Sequence, residues 1–85
     1  MAYSIEFEPR VLKELKAIPV ADQQRLITRI EALAADPRPA GVEKLKGQAD
    51  AYRVRQGNYR IVYTIDDTIR IITISRVGHR REVYR

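Results

Sequence analysis

Seven side chains in the C-terminal part of this 85-residue chain have the chemistry to act on a phosphate: Arg53, Arg55, Arg60, His79, Arg80, Arg81 and Tyr84. A guanidinium presents a planar fork of donors that matches phosphate oxygens. Several of them beside a phenol suit cleavage of an RNA phosphodiester, in which the ribose 2′-OH is a built-in nucleophile. Such a site must hold the phosphate in line and stabilise the charge that develops. It must also take a proton from the 2′-OH and return one to the leaving 5′ oxygen. Arg53, Arg55 and Arg60 can clamp the phosphate. A tyrosine with a pKa near 10 is a poor base at neutral pH, but adjacent cations favour its phenolate. Arginine stays protonated in proteins. His79 is therefore the easier proton donor or base, although a single histidine beside a glycine is more often an ordinary loop residue.

Charge placement points the same way. Residues 1–50 hold eight basic and eight acidic side chains, whereas residues 51–85 hold eight arginines, three acids and no lysine. The whole net charge of +5 therefore lies in the last 35 residues, which suggests a polyanion partner. Arg81 and Arg85 also read as ordinary solvated charges. Other chemistries are poorly served. With no Cys and one His, the chain offers no disulfide framework, thiol nucleophile or usual multi-histidine metal site. The acids lack metal-loop spacing, and no serine or threonine forms a nucleophile arrangement with His79. No cofactor is expected. No apolar run approaches the roughly 20 residues that span a bilayer. The start, Met1-Ala2-Tyr3-Ser4-Ile5-Glu6-Phe7-Glu8, lacks the features of a secretory leader. The expectation is a cytoplasmic protein with no membrane partner and one domain over 1–85.

The elements that must position these residues divide into a helical half and a β half, an α+β pattern. Tyr3, Ile5 and Phe7 alternate with polar residues as a short strand does. Pro9 suits a first helical position, and Val11, Leu12, Leu15 and Ile18 form the stripe of a short helix. A second helix follows Pro19, with Leu26, Ile27, Ile30, Leu33 and Ala34 as its buried face, and ends before Pro37 and Pro39. The short connection predicts an antiparallel helical hairpin, packed on one face of an antiparallel sheet. Residues 38–50 read as a loop, anchored by Leu45. Three strands then form an antiparallel meander: Ala51–Gln56, Tyr59–Ile65 and Thr68–Arg76, all rich in β-branched and aromatic residues. Gly57-Asn58 is a type II′ hairpin signal and Asp66-Asp67 a weaker one.

Register converts the pattern into faces. A two-residue turn at Gly57-Asn58 sets Gln56 opposite Tyr59 and Arg55 opposite Arg60. Arg53, Arg55 and Arg60 then share one face. Tyr52, Val54, Tyr59, Ile61 and Tyr63 share the other, joined by Ile72 and Ile74, and should pack on the helices. Like charges directly opposite on a sheet cost up to about 1 kcal/mol, so the Arg55/Arg60 pair is better suited to an anion than to stability. A two-residue turn at Asp66-Asp67 would put Arg60 opposite residue 73 and Arg70 at a helix-side edge. The loop with His79 and Arg80 would then leave the sheet near the arginines.

Three segments together resemble the RelE toxins of toxin–antitoxin systems, in the RelE/ParE superfamily. They are Tyr52-Arg53-Val54-Arg55, Gly57-Asn58-Tyr59-Arg60-Ile61-Val62-Tyr63 and Val77-Gly78-His79-Arg80-Arg81-Glu82-Val83-Tyr84. Met1-Ala2-Tyr3, Phe7, the first helix and Leu45-Lys46-Gly47 also fit. The resemblance implies a β-α-α-β-β-β fold and a metal-independent, ribosome-dependent endoribonuclease. Such an mRNA interferase cuts the codon in the A site and leaves a 2′,3′-cyclic phosphate and a 5′-hydroxyl. It implies catalytic roles for Arg60 (transition-state stabiliser), Arg80 (general acid) and Tyr84 (general base), with Arg53, Arg55, His79 and Arg81 on the RNA. It also implies a cognate antitoxin, and operator DNA bound only by the toxin–antitoxin complex. The family's better-known members carry lysines where this chain has Arg53 and Arg55, which shifts proton abstraction toward Tyr84. Two other readings compete: a ParE-like toxin that inhibits DNA gyrase, and a non-enzymatic module that only binds antitoxin and DNA.

Overall fold

The computed structural model describes residues 2–47 and 50–79. Its elements are β1 (Ser4–Phe7), α1 (Pro9–Lys16), α2 (Val20–Leu33), β2 (Glu43–Lys44), β3 (Ala51–Gln56), β4 (Tyr59–Asp66) and β5 (Ile71–His79). The strands form one sheet in the order β1-β5-β4-β3-β2. Both helices pack on one face, α1 against β5 and α2 toward β3.

The helices start where proline allows. Pro9 opens α1, and Pro19 stands at the N-cap of α2 with its carbonyl accepting from Gln23 N–H at 2.9 Å. Val11, Leu15 and Ile18 from the first stripe, and Leu26, Ile30 and Leu33 from the second, are buried against Tyr52, Val54, Ile61, Tyr63, Ile65, Ile72, Ile74 and Val77. Leu12 and Ile27, expected in those stripes, are exposed. Each stripe is wider than the contact a short helix makes with one sheet face.

Three sequence expectations about the sheet need correction. β1 pairs with β5 in parallel, so the sheet is mixed. No tight turn joins these two strands, so no local chemistry dictates their direction. The segment 38–50 is not wholly loop: Glu43 and Lys44 pair with Arg53 and Tyr52. There Val42, rather than Leu45, packs on the core, while Leu45 N–H donates to Ala51 O at 2.9 Å. The third strand of the meander spans Ile71–His79 rather than Thr68–Arg76, because the turn before it has four residues, Asp67–Arg70. Asp66 caps that turn, accepting from Thr68 and Ile69 N–H. Arg70 lies in the turn with φ +56° and its guanidinium 5.6 Å from the Tyr3 ring centre.

A polar network secures this end of the sheet. Asp67 accepts from Tyr3 Oη at 2.6 Å and from both terminal nitrogens of Arg38 at 3.3 and 2.9 Å. Arg38 Nε donates to Tyr52 Oη at 3.1 Å. Tyr63, fully buried, donates to Pro37 O at 2.7 Å, and burial pushes its hydroxyl up to about 12. The hydrogen bonds from Arg38 and then Tyr3 hold the Asp67 carboxyl below its usual range. A carboxyl depressed in the folded state adds stability above its unfolded pKa of about 3.9, and that stability is lost as pH falls through the folded pKa. Asp67→Asn should therefore lower the melting temperature at pH 7, with the gap from wild type closing at the acid end of a pH series. Tyr63→Phe should cost about 0.5–1.5 kcal/mol in urea unfolding, because it removes the hydrogen bond to Pro37 O.

Candidate phosphate-binding face and the family of the fold

The Gly57-Asn58 turn forms as read. Gly57 has φ +61° and Asn58 does not share its sign, as type II′ requires. Gln56 faces Tyr59, Arg55 faces Arg60, Val54 faces Ile61 and Arg53 faces Val62. Arg53, Arg55 and Arg60 thus share the face turned away from the helices, while Tyr52 and Tyr63 are core and Tyr59 packs against it. The three arginines are not equivalent. Arg55 is exposed, Arg53 is partly covered, and Arg60, in the central strand, is 2% exposed.

β5 completes the surroundings of Arg60 through an irregularity. Tyr63 pairs with Ile74, but Val62 pairs with Arg76, so Ser75 is an extra residue. Its hydroxyl donates to Val62 O at 3.2 Å. Beyond this bulge Ile61 faces Val77, Arg60 faces Gly78 and Tyr59 faces His79. Arg60 therefore stands between Arg55 on one side and a residue without a side chain on the other.

The bulge also settles His79. It is the last residue of a strand rather than part of a loop. Its ring meets Tyr59 edge-on, with centroids 5.9 Å apart, on the side that carries the helices. His79 shares the arginines' end of the sheet but not their face. The other expected site residues, Arg80, Arg81 and Tyr84, lie outside the described residues. Among the described residues no cluster of His, Asp or Glu could hold a metal ion, and no helix is long and apolar enough to cross a membrane.

Glu43 is a member of this face that the sequence reading missed. It pairs across strands with Arg53 and accepts from its Nη2 at 3.0 Å. Arg53 holds the Glu43 carboxyl below its usual range, mainly through that hydrogen bond, with smaller contributions from Arg60 and Arg55. The signal available in sequence was a cross-strand pair of opposite charge, but it needs β2, and two residues are too few to read as a strand. Chemically, the face gathers cations of the kind that suit a phosphate, and Glu43 is ion-paired with Arg53. An exposed ion pair is worth about 0.2–1 kcal/mol. Glu43→Gln should therefore bind a short single-stranded oligoribonucleotide up to about five-fold more tightly, with a steeper salt dependence, in a titration by fluorescence anisotropy.

Comparison with known proteins identifies the scaffold that carries this face. Residues 5–84 match the family described as the ParE toxin of type II toxin–antitoxin systems, parDE. RelE1 of Methanocaldococcus jannaschii is 34% identical, with 100% of this chain and 98% of the relative covered. The mRNA interferase toxin RelE of Escherichia coli K12 is 32% identical, at 99% and 92% coverage. The structure of the archaeal RelE–RelB complex from Pyrococcus horikoshii superposes with a TM-score of 0.83 at 30% identity, over 94% of this chain and 97% of that one. Three arginines on the outer face of a mixed sheet thus stand on a known scaffold, and the chain belongs to the RelE family of type II toxin–antitoxin toxins, within the RelE/ParE superfamily.

Proposed function

We propose that this protein is a metal-independent endoribonuclease that cuts messenger RNA in the ribosomal A site and is silenced by a cognate antitoxin. The observation that carries the reading is Arg60: a guanidinium in the central strand, beside Arg55 and opposite Gly78, on the scaffold of a relative named an mRNA interferase. In this reading the scissile phosphate lies on the face of Arg53, Arg55 and Arg60. The 2′ oxygen loses its proton to Tyr84 and attacks phosphorus, and the bond from phosphorus to the 5′ oxygen breaks. That oxygen takes a proton from Arg80, and the products are a 2′,3′-cyclic phosphate and a 5′-hydroxyl. Arg60 stabilises the charge on the phosphoryl oxygens at the crowded stage, and Arg81 contributes to holding the RNA. His79, on the Tyr59 side, enters as a contact at the end of the sheet rather than as a phosphate clamp. The antitoxin partner is supported by relatives solved as RelE–RelB complexes. The operator is proposed to be bound only by the complex with antitoxin.

A ParE-like reading, with DNA gyrase as target, is favoured by the family description matched over residues 5–84, but the relatives named above are RelE proteins. Mapping transcript 5′ ends after brief expression separates the two. New ends inside translated codons, absent from a translation-blocked template, are expected. A DNA-damage response with intact transcripts would assign the gyrase reading instead. Arg60→Ala should lower the cleavage rate by about 10²–10³-fold, the usual cost of removing a transition-state donor, and abolish growth arrest while the fold persists. With Tyr84 as base, the rate should climb with pH through the neutral range. A rate that is already level from about pH 5 upward would give the proton to Glu43, which is ionised there.

A further inference from the structure

β1 pairs with β5 only as far as Phe7 opposite Ile74, yet β5 runs on to His79. Past Ile74 the outer edge of β5 has no neighbouring strand among the described residues, and this is where the bulge has just interrupted its inner ladder. α1 takes the place of the missing strand. Glu8 N–H donates to Ile74 O at 3.0 Å, and Arg10 Nε donates to Ser75 O at 3.0 Å. Glu14 then accepts from Val77 N–H at 2.9 Å through one carboxylate oxygen and from Arg76 Nε at 3.1 Å through the other. Arg10 and Glu14 are four residues apart, so they project from one face of the helix.

Val77 is buried and Gly78 with it, so the Val77 amide finds its partner in Glu14 rather than in open water. A carboxylate that spans the Val77 amide and the Arg76 guanidinium does something water cannot: it fixes where the strand lies. The residues it fixes are followed at once by Gly78, opposite Arg60, and by Arg80 two residues later in the chain. We infer that Glu14 is a positioning residue, which acts through Val77 and Arg76 to hold the end of β5 against Arg60. This inference rests on the endoribonuclease reading above. It makes α1 part of the catalytic apparatus without contact with RNA.

The test is single-turnover cleavage of messenger on programmed ribosomes by wild type, Glu14→Ala and Glu14→Gln, together with amide hydrogen exchange on each protein. Misplacement of a catalytic group by about 1 Å costs up to 10²-fold. Glu14→Ala should therefore cut at a rate 10- to 100-fold lower, with ribosome affinity within about two-fold. Exchange should quicken at Val77, Gly78 and His79 but not at core amides such as Ile61 and Ile72. Glu14→Gln keeps an oxygen for Val77 N–H and should recover most of the rate. An unchanged rate in Glu14→Ala overturns the inference, and so does a loss that tracks faster exchange throughout the protein. Wild-type protein that cuts no messenger defeats the nuclease reading itself. Active wild type with an indifferent Glu14→Ala defeats only the role of Glu14.

Discussion

Strict alternation along β5 beyond Ile74 would turn Arg76 into the helix-packed core and Val77 out beside Arg60. Burying an unpaired guanidinium costs several kcal/mol, and exposing a valine that can be buried forfeits roughly 1.5–3 kcal/mol. Leaving Ser75 out of the ladder costs about one backbone hydrogen bond, net 0.5–1.5 kcal/mol, and its hydroxyl finds Val62 O. The bulge is the cheaper solution. The rest of the arginine face follows from it: Val77 enters the core, Gly78 comes to stand opposite Arg60, and His79 turns toward Tyr59.

The two ends of the sheet are built on opposite principles. Around the Asp67–Arg70 turn, charges and phenols satisfy one another: Asp67 serves Tyr3 and Arg38, and Arg38 serves Tyr52 as well. Around the Gly57-Asn58 turn, Arg55 lies directly opposite Arg60, and positive charge accumulates. The described carboxylate that meets this cluster, Glu43, sits on a two-residue strand at the margin and is half-exposed. One end thus pairs its charges with one another, while the other gathers arginines on one face, as the RNA-binding role proposed above requires. The helices share this division, since α2 builds the core under β3 while α1 ties down the edge of β5.

Much of this architecture was legible in residue order because its determinants are local. Pro9 and Pro19 mark both helix starts, the Gly-Asn dipeptide specifies its turn, and that turn alone forces Arg53, Arg55 and Arg60 onto one face by the two-residue period of a strand. Ile72 and Ile74 joined the core face as read, although the turn before them is two residues longer than Asp66-Asp67 suggested. Lengthening a loop by an even number preserves which face a residue takes. Ser75 does not preserve it: one extra residue inverts every side chain after it. The position of that residue is set by what the other strands and helices leave room for, so His79 could not be placed from sequence.

The same distinction separates Glu43 and Glu14 from the arginines. Neither lies in a segment whose own pattern assigns it a partner, and each meets β3 or β5 only because distant stretches of chain fold together. The chain's sequence by itself determined its helices, its first hairpin, the arginine face and its family. The tertiary structure alone decided the parallel seat of β1, the phase of β5 after the bulge, and the carboxylates that hold Arg53 and the end of β5. The physical reason is range: turn chemistry and side-chain period act over a few residues, whereas edge satisfaction and charge pairing act between elements tens of residues apart.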